Sequence, residues 1–309
     1  MTLLNNRHLI SISIQLHISY SLGNENLHSL IEDWKANVVN SIISSDQTDR
    51  LAEYSLHVSR ILAYPDLNVN AKLKEIDGMS EEISLSIKKS MPLRPTQFIE
   101  VINNYLFKEK QFKPNLQDYY NPLNSYLNVV VERRTGIPIT LSILYMRIAH
   151  NLGFILYPVN FPAHFLLKHI LDGDNSEIII DPFNKGRIMD DYSLKELLDQ
   201  FFPQRNVPLT RNFVEKATAA QVIVRLLNNL KNSYYEAQDI DKTETANEMI
   251  ISIDQHNPEA IRDRGMILLK REKPTEALEM LNLYLELDPE ASDADAILDI
   301  IRQTRESSI

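Results

Sequence analysis

The chain contains no cysteine. That excludes disulfides, thiolate metal sites and any thiol nucleophile. Glycine is nearly as scarce, with 7 in 309 residues, which leaves little room for tight β-turns and favours a helix-rich protein. No apolar run reaches the ~18 residues that a membrane-spanning helix needs. The N-terminus lacks the continuous apolar stretch and small-residue cleavage site of a signal peptide. Both point to a cytoplasmic protein with no membrane partner. Positive charge is in deficit, the net charge being −10. Nucleic acid is therefore not the expected partner, because its recognition usually requires a basic face.

What is present is length enough for two domains and a sizeable core. The acidity is uneven: residues 220–309 carry 18 acidic against 10 basic side chains. At the other end, Ile10, Ile12, Ile14, Leu16, Ile18, Tyr20 and Leu22 alternate with polar residues, which is the period of a half-buried strand. Residues 1–25 are set apart as an N-terminal extension, either β or disordered.

From Leu27 to Leu62 the pattern is mostly helical, with Leu51, Tyr54, Val58, Ile61 and Leu62 on one stripe and Ser45 or Asp46 as cap. Tyr64-Pro65-Asp66 stops it. A second helix is predicted from Val69 to about Ser90, with Leu73, Ile76, Met79, Ile83 and Ile87 inward. A third runs from Pro95 to Phe107, and 110–122 reads as an aromatic-rich loop. Ser125–Arg133 is a short helix. Thr135-Gly136-Ile137-Pro138 is a turn that opens a helix ending at Gly153, since proline fits the first turn and glycine the C-terminus. That helix is apolar nearly all round, so it belongs in the middle of a domain. Strand-like runs follow at 155–160, 164–170 and 177–181, the last two joined as a hairpin, and then a helix at Ser193–Phe202. From about Ala219 the chain is purely helical. HNPEA (256–260) and LDPEA (287–291) repeat 31 residues apart, with Ala260, Gly265, Ala277 and Pro289 as small or turn residues. This approximates the ~34-residue tetratricopeptide period.

The stretches NPLNSYLNVVVERRTGIPITLSILYMRIAHNLGF, VNFPAHFLLKH and IIIDPFNKGRIM together resemble the SirB-type transglutaminase-like family. RILAYPDLNVNAKLKEIDGM and VIVRLLNNLKNSYY extend the likeness on either side. The resemblance implies an α+β fold: a helical N-terminal region, a papain/transglutaminase-like core with a central helix and small antiparallel sheet (26–205), then all-α tetratricopeptide-type repeats (219–305). The broader fold carries a Cys opening the central helix, a His at the start of one strand and an Asp on the next. His164 and Asp181 match the latter two. The nucleophile position, two residues after Gly136, reads Pro138. Proline can neither attack an acyl carbon nor donate a backbone N–H to an oxyanion. An Ile-Pro at this point is what the resemblance implies for the SirB-type branch, so it implies the fold rather than acyl transfer.

Two possibilities stay open for His164: a structural histidine bonded to Asp181, or a remnant dyad that still binds a ligand or acts as a base. Thr140 and Ser142 follow on the helix. Ser142 shares the face of Pro138 but lies about 6 Å further along the axis. It is either a substitute nucleophile or a buried hydroxyl bonded to the i−4 carbonyl. Glu132, Arg133 and Arg134 either fasten the loop through ion pairs, to Asp181 or Asp190, or form a carboxylate site. Asn124 and Asn128 orient the same turn or line a pocket. His150, His164 and His169 lack metal-ligand spacing, and no phosphate loop is present, so no metal or cofactor is expected. The expected function is a catalytically impaired protein acting as a regulatory module, which binds protein or peptide through its repeats. The competing possibilities are a hydrolase or acyl transferase using His164–Asp181 with water or Ser142, and a scaffold acting only through the repeats.

Overall fold

A computed structural model describes residues 25–87, 92–171, 173, 176–203, 205 and 207–307. The alternating pattern of residues 10–22 lies outside them, as does the end of the second predicted helix. The chain divides into two units. Ser41–Asn229 form one, and the described residues up to Asn40 form the other with those from Leu230 onward.

In the Ser41–Asn229 unit, helix Leu51–Leu62 buries Leu51, Tyr54, Val58, Ile61 and Leu62, the predicted stripe. Asp46 does not cap this helix. Its Oδ1 accepts the backbone N–H of Ala219 at 2.6 Å, at the head of helix Ala219–Glu236. The open amides at a helix start take whatever acceptor the fold brings, near or far in sequence. Helix Val69–Ile87 buries Ile76, Ile83 and Ile87, while Leu73 and Met79 are only half-buried. It is clamped to the central helix, Pro138–Asn151, by a forked pair from Arg147 to both oxygens of Asp77 (2.7 and 2.8 Å). The central helix buries every residue from Pro138 to Ala149 except Arg147. Helix Pro95–Asn103 passes into a π-turn, Asn104–Glu109, rather than continuing regularly to Phe107.

The predicted loop at 110–122 and turn at 135–138 contain a two-residue parallel pair, β1 (Lys113–Pro114) with β2 (Thr135–Gly136). Two residues are too few to show a period, so sequence pattern could not reveal them. Gly136 is required there, because a Cβ would lie 2.8 Å from Thr140 Oγ1 and 3.0 Å from Val130. The antiparallel sheet runs in the order β3 (Tyr157–Val159), β4 (Leu166–Ile170), β5 (Glu177–Asp181), β6 (Arg187–Met189). β6 was not anticipated. It follows a turn with Lys185 and Gly186 both left-handed (φ 57° and 71°). β3 and β4 are shorter than the predicted runs, which leaves His164 in the turn ahead of β4. One face of the sheet buries Val159, Leu166, Ile179 and Met189 against Leu194 and Leu198 of helix Asp191–Phe201.

In the other unit, helices Ile240–Ile253, Pro258–Lys270, Pro274–Leu287 and Ala294–Ser307 follow one another through short turns. Asn257 caps the second, accepting the N–H of Ala260 at 2.9 Å. Pro258 is the first helical residue, but its repeat partner Pro289 lies in the turn before the last helix. Gly265 lets neighbouring helices approach, since a Cβ there would lie 2.7 Å from Leu281. Helix Glu25–Trp34, grouped with the core in the sequence analysis, packs here. Trp34 is fully buried and its Nε1–H donates to the Met249 carbonyl at 3.2 Å.

Candidate functional site

The candidate site is assembled at one end of the β4–β5 hairpin. Leu167 pairs with Ile180, so the register brings the residues just before β4 beside the end of β5. Phe161-Pro162-Ala163-His164 forms a turn closed by the His164 N–H on the Phe161 carbonyl at 3.0 Å. Proline at the second position suits such a turn, but Ala163 is left-handed (φ 54°), which strains a non-glycine residue by about 1 kcal/mol.

His164 Nε2 lies 3.0 Å from Asp181 Oδ1, with the imidazole 4% and the carboxylate 0% exposed. A carboxylate only accepts, so Nε2–H is the donor of this bond. Among the described residues Nδ1 has no hydrogen-bond partner. Asp181 is held from its other side by Asn184, whose N–H reaches Oδ1 at 3.2 Å and whose Nδ2 reaches Oδ2 at 2.6 Å. The carboxylate thus also caps the 3₁₀ turn Pro182–Asn184, against which the central helix packs. Phe183 meets the imidazole edge-on at 5.7 Å and Phe201 stacks at 6.2 Å. The arrangement holds an oriented imidazole in an apolar setting.

Pro138 is buried at the first position of the central helix. The helix start is fixed by Thr140, whose Oγ1 donates to the Asn124 carbonyl at 2.9 Å and accepts the Ile137 N–H at 3.2 Å. Asn124 is fully buried. Its Nδ2 donates to the carbonyls of Asp118 (2.6 Å) and Tyr119 (3.2 Å), and its Oδ1 accepts from Asn115 at 2.9 Å. It therefore organises the aromatic loop. Ser142 Oγ is buried and has no partner, so the expected bond to the i−4 carbonyl is not made, and Asn128 Oδ1 is likewise buried and unpaired. The expected ion pairs to Asp181 or Asp190 do not form either. Glu132 pairs with Lys72 at 3.1 Å, while Asp190 caps helix Asp191–Phe201. Arg133 and Arg134 are exposed, and Arg134 takes the left-handed position that ends helix Leu127–Arg133. Arg133 borders a shallow groove of about 490 Å³ with Lys113, Leu116 and Asp118.

His150 lies in the last turn of the central helix, and His169 Nδ1 meets the Ile155 carbonyl at 2.8 Å. Among the described residues, no three His, Asp or Glu side chains are grouped to hold a metal ion. Nor is any helix long and apolar enough to cross a membrane. In the repeat unit a cleft of about 220 Å³ is lined by Lys231, Asn232, Tyr235, Thr243, Arg262 and Met266. Sequence reasoning missed Asn184 and Phe201. The first was findable, because an Asp before Pro with an amide three residues on is a capping pattern. The second arrives from a separate helix and leaves no such signal.

Residues 70–228 match the transglutaminase-like superfamily, and residues 230–302 match the tetratricopeptide repeat. The chain belongs to the transglutaminase-like superfamily, in the form that continues into tetratricopeptide repeats. It is 32% identical over 255 residues to a UPF0162 protein of Xylella fastidiosa, covering 82% of this chain and 89% of that one. It is 31% identical over 182 residues to the SirB1 protein of Salmonella typhimurium, covering 57% of this chain and 63% of that one. It is also 36% identical over 169 residues to the human F-box only protein 21, covering 50% of this chain but 27% of that one.

Proposed function

We propose that this protein is a catalytically impaired transglutaminase-like protein that works in the cytoplasm as a regulatory module, binding protein or peptide through its repeats. The observation that carries the proposal is Pro138: the first residue of the central helix has neither a nucleophile nor a backbone N–H. The absence of cysteine from the whole chain removes any thiol substitute. Ser142 does not replace it, because its hydroxyl is buried and a nucleophile must be reached by substrate. His164 and Asp181 then serve as a remnant dyad that keeps the turn and the strand end together. Stacked helical repeats supply concave surfaces for partners, and the cleft beside Tyr235 and Met266 is the part offered here.

Two measurements test this. Purified full-length protein should neither hydrolyse an activated ester nor release ammonia from a glutamine peptide, and His164→Ala should change nothing in either assay. Turnover that falls with His164→Ala would overturn the proposal and favour an enzyme using water or Ser142. Full-length protein should also retain partners in a pull-down that are lost with Asn232→Ala/Tyr235→Ala.

A further inference from the structure

The cleft in the repeat unit is lined by two cations, Lys231 and Arg262, and both are already engaged. Lys231 is 4% exposed, and its Nζ donates to Asp263 Oδ2 at 2.6 Å. Arg262 donates to Asp263 Oδ1 through Nε and Nη2, at 3.0 and 2.8 Å, and to Asp293 Oδ2 through Nη1 at 2.9 Å. Asp263 is thus held from two sides. An arriving carboxylate would have to displace Asp263 or Asp293 against their own negative charge. An arriving cation would compete with two that are in place. The Thr243 hydroxyl, which also lines the cleft, is spent on the Asp239 carbonyl at 2.7 Å. The charges of the cleft complete one another and leave none for a ligand to neutralise.

What the cleft leaves open is apolar. Tyr235, on helix Ala219–Glu236, is 43% exposed, and the Lys270 ammonium lies 4.1 Å over its ring. Met266, half-buried on helix Pro258–Lys270, lines the same cleft beside the buried Ile267. An aromatic ring and a flexible thioether are the apolar contacts that interfaces favour. The volume of about 220 Å³ sets the size of the guest. An apolar cavity of about 150 Å³ takes up benzene, so this one has room for a single large side chain.

We propose that this cleft receives one uncharged apolar side chain, of phenylalanine or leucine size, from a partner peptide. The inference rests on the reading of the repeats as the binding surface and adds to it the chemistry of the partner. Affinity comes from burying the guest against Tyr235, Met266 and Ile267. Selectivity comes from the Lys231–Asp263–Arg262 chain, which turns away acidic and basic side chains alike because it is already neutralised.

The test uses full-length protein and ligand-observed NMR. The probes are N-acetylated, C-amidated pentapeptides of glycine and serine that differ only in a central phenylalanine, leucine, alanine, glutamate or lysine. The phenylalanine and leucine peptides should bind, and the other three should bind about tenfold more weakly or worse. Added salt should not weaken the binding, as it would for an ion pair. Met266→Asp, which puts a charge into the cleft, should abolish binding, and Tyr235→Ala should weaken it several-fold. Tyr235→Phe should bind like the parent. Tyr192→Ala, at a 76% exposed tyrosine of the other unit, should change nothing. Met266→Asp also charges a half-buried position, so Tyr235→Ala, at a partly exposed ring, is the variant that leaves the packing intact. The proposal is overturned if no peptide binds, if the glutamate or lysine peptide binds as well as the phenylalanine one, or if Tyr235→Ala binds the phenylalanine peptide like the parent. Glutamate binding that Tyr235→Ala removes would sink the apolar chemistry alone and keep the cleft as the partner site. Partners retained in the pull-down by Asn232→Ala/Tyr235→Ala would sink the reading of the cleft as the partner site, and this proposal with it.

Discussion

Each unit of this protein buries an acid–base pair, and the two pairs are built differently. In the Ser41–Asn229 unit, Asp181 accepts three hydrogen bonds, one from His164 and two from Asn184, all within a short span of chain. In the repeat unit, Glu248 on helix Ile240–Ile253 meets Arg264 on helix Pro258–Lys270 at 3.2 Å, with side chains 7% and 5% exposed. Burial pushes the Glu248 carboxyl upward, against the pull of Arg264. At Asp181 several local donors offset the cost of burying one carboxylate. One facing a single cation across a helix pair is exposed to the full cost of desolvation. The first pair ties a turn to the end of a strand, and the second joins one helix to the next.

The comparison can be broken most sharply at Arg264. Arg264→Ala leaves Glu248 buried without its cation and should lower stability by about 3–5 kcal/mol. Trp34, the only tryptophan, lies in that unit, so its fluorescence during urea unfolding reports the loss. An effect near zero would mean that Glu248 is already neutral in the native state. Next in size is Asp181→Ala, which strips three hydrogen bonds and should cost about 2–4 kcal/mol by circular dichroism in urea. His164→Ala leaves both Asn184 contacts in place and should cost roughly 1–3 kcal/mol. The reverse order would show that the imidazole, not the turn, carries the local stability.

The pH dependence sharpens the contrast. Glu248, raised above its usual 4.5, keeps its proton in the native state when the unfolded chain has lost it. Its contribution therefore declines as pH rises from that value. Asp77 behaves oppositely. Burial pushes its carboxyl up, but the hydrogen bonds from Arg147 and Asn151 outweigh this and hold it below its usual 3.8. The stability it adds is present above that value and is lost as pH falls through the native-state value. Urea midpoints measured across the acid range should show opposite slopes, removed by Glu248→Gln and Asp77→Asn respectively. The smallest expected effect is at Ala163. Ala163→Gly relieves a left-handed alanine and should stabilise the protein by about 0.5–1 kcal/mol, read as an upward shift in Tm.

Much of this was legible in the sequence. The stripe on Leu51–Leu62, the apolar central helix and the small residues of the repeats are periodic, and periodicity is a local property of the chain. His164 was singled out by a proline turn ahead of an apolar strand, and Asp181 through the resemblance to the transglutaminase-like family; the structure places them 3.0 Å apart. The hydrogen bond from Arg225 to the Phe161 carbonyl was not legible, because the two lie 64 residues apart and nothing local distinguishes Arg225 from any other helical arginine.

By itself, then, the sequence determined that no thiol chemistry is possible, that proline opens the central helix, and that helices dominate both ends of the described chain. Tertiary structure decided where polar groups found partners. It sent Asp46 to the amide of Ala219, 173 residues away, left Ser142 with none, and set Arg225 beside a carbonyl instead of a carboxylate. It also turned corners without glycine: among the described residues, six others take left-handed backbone, Ala163 among them. The physical reason is range. Periodicity and chemical identity are carried by neighbours along the chain, whereas hydrogen bonding and desolvation depend on which distant groups are packed together.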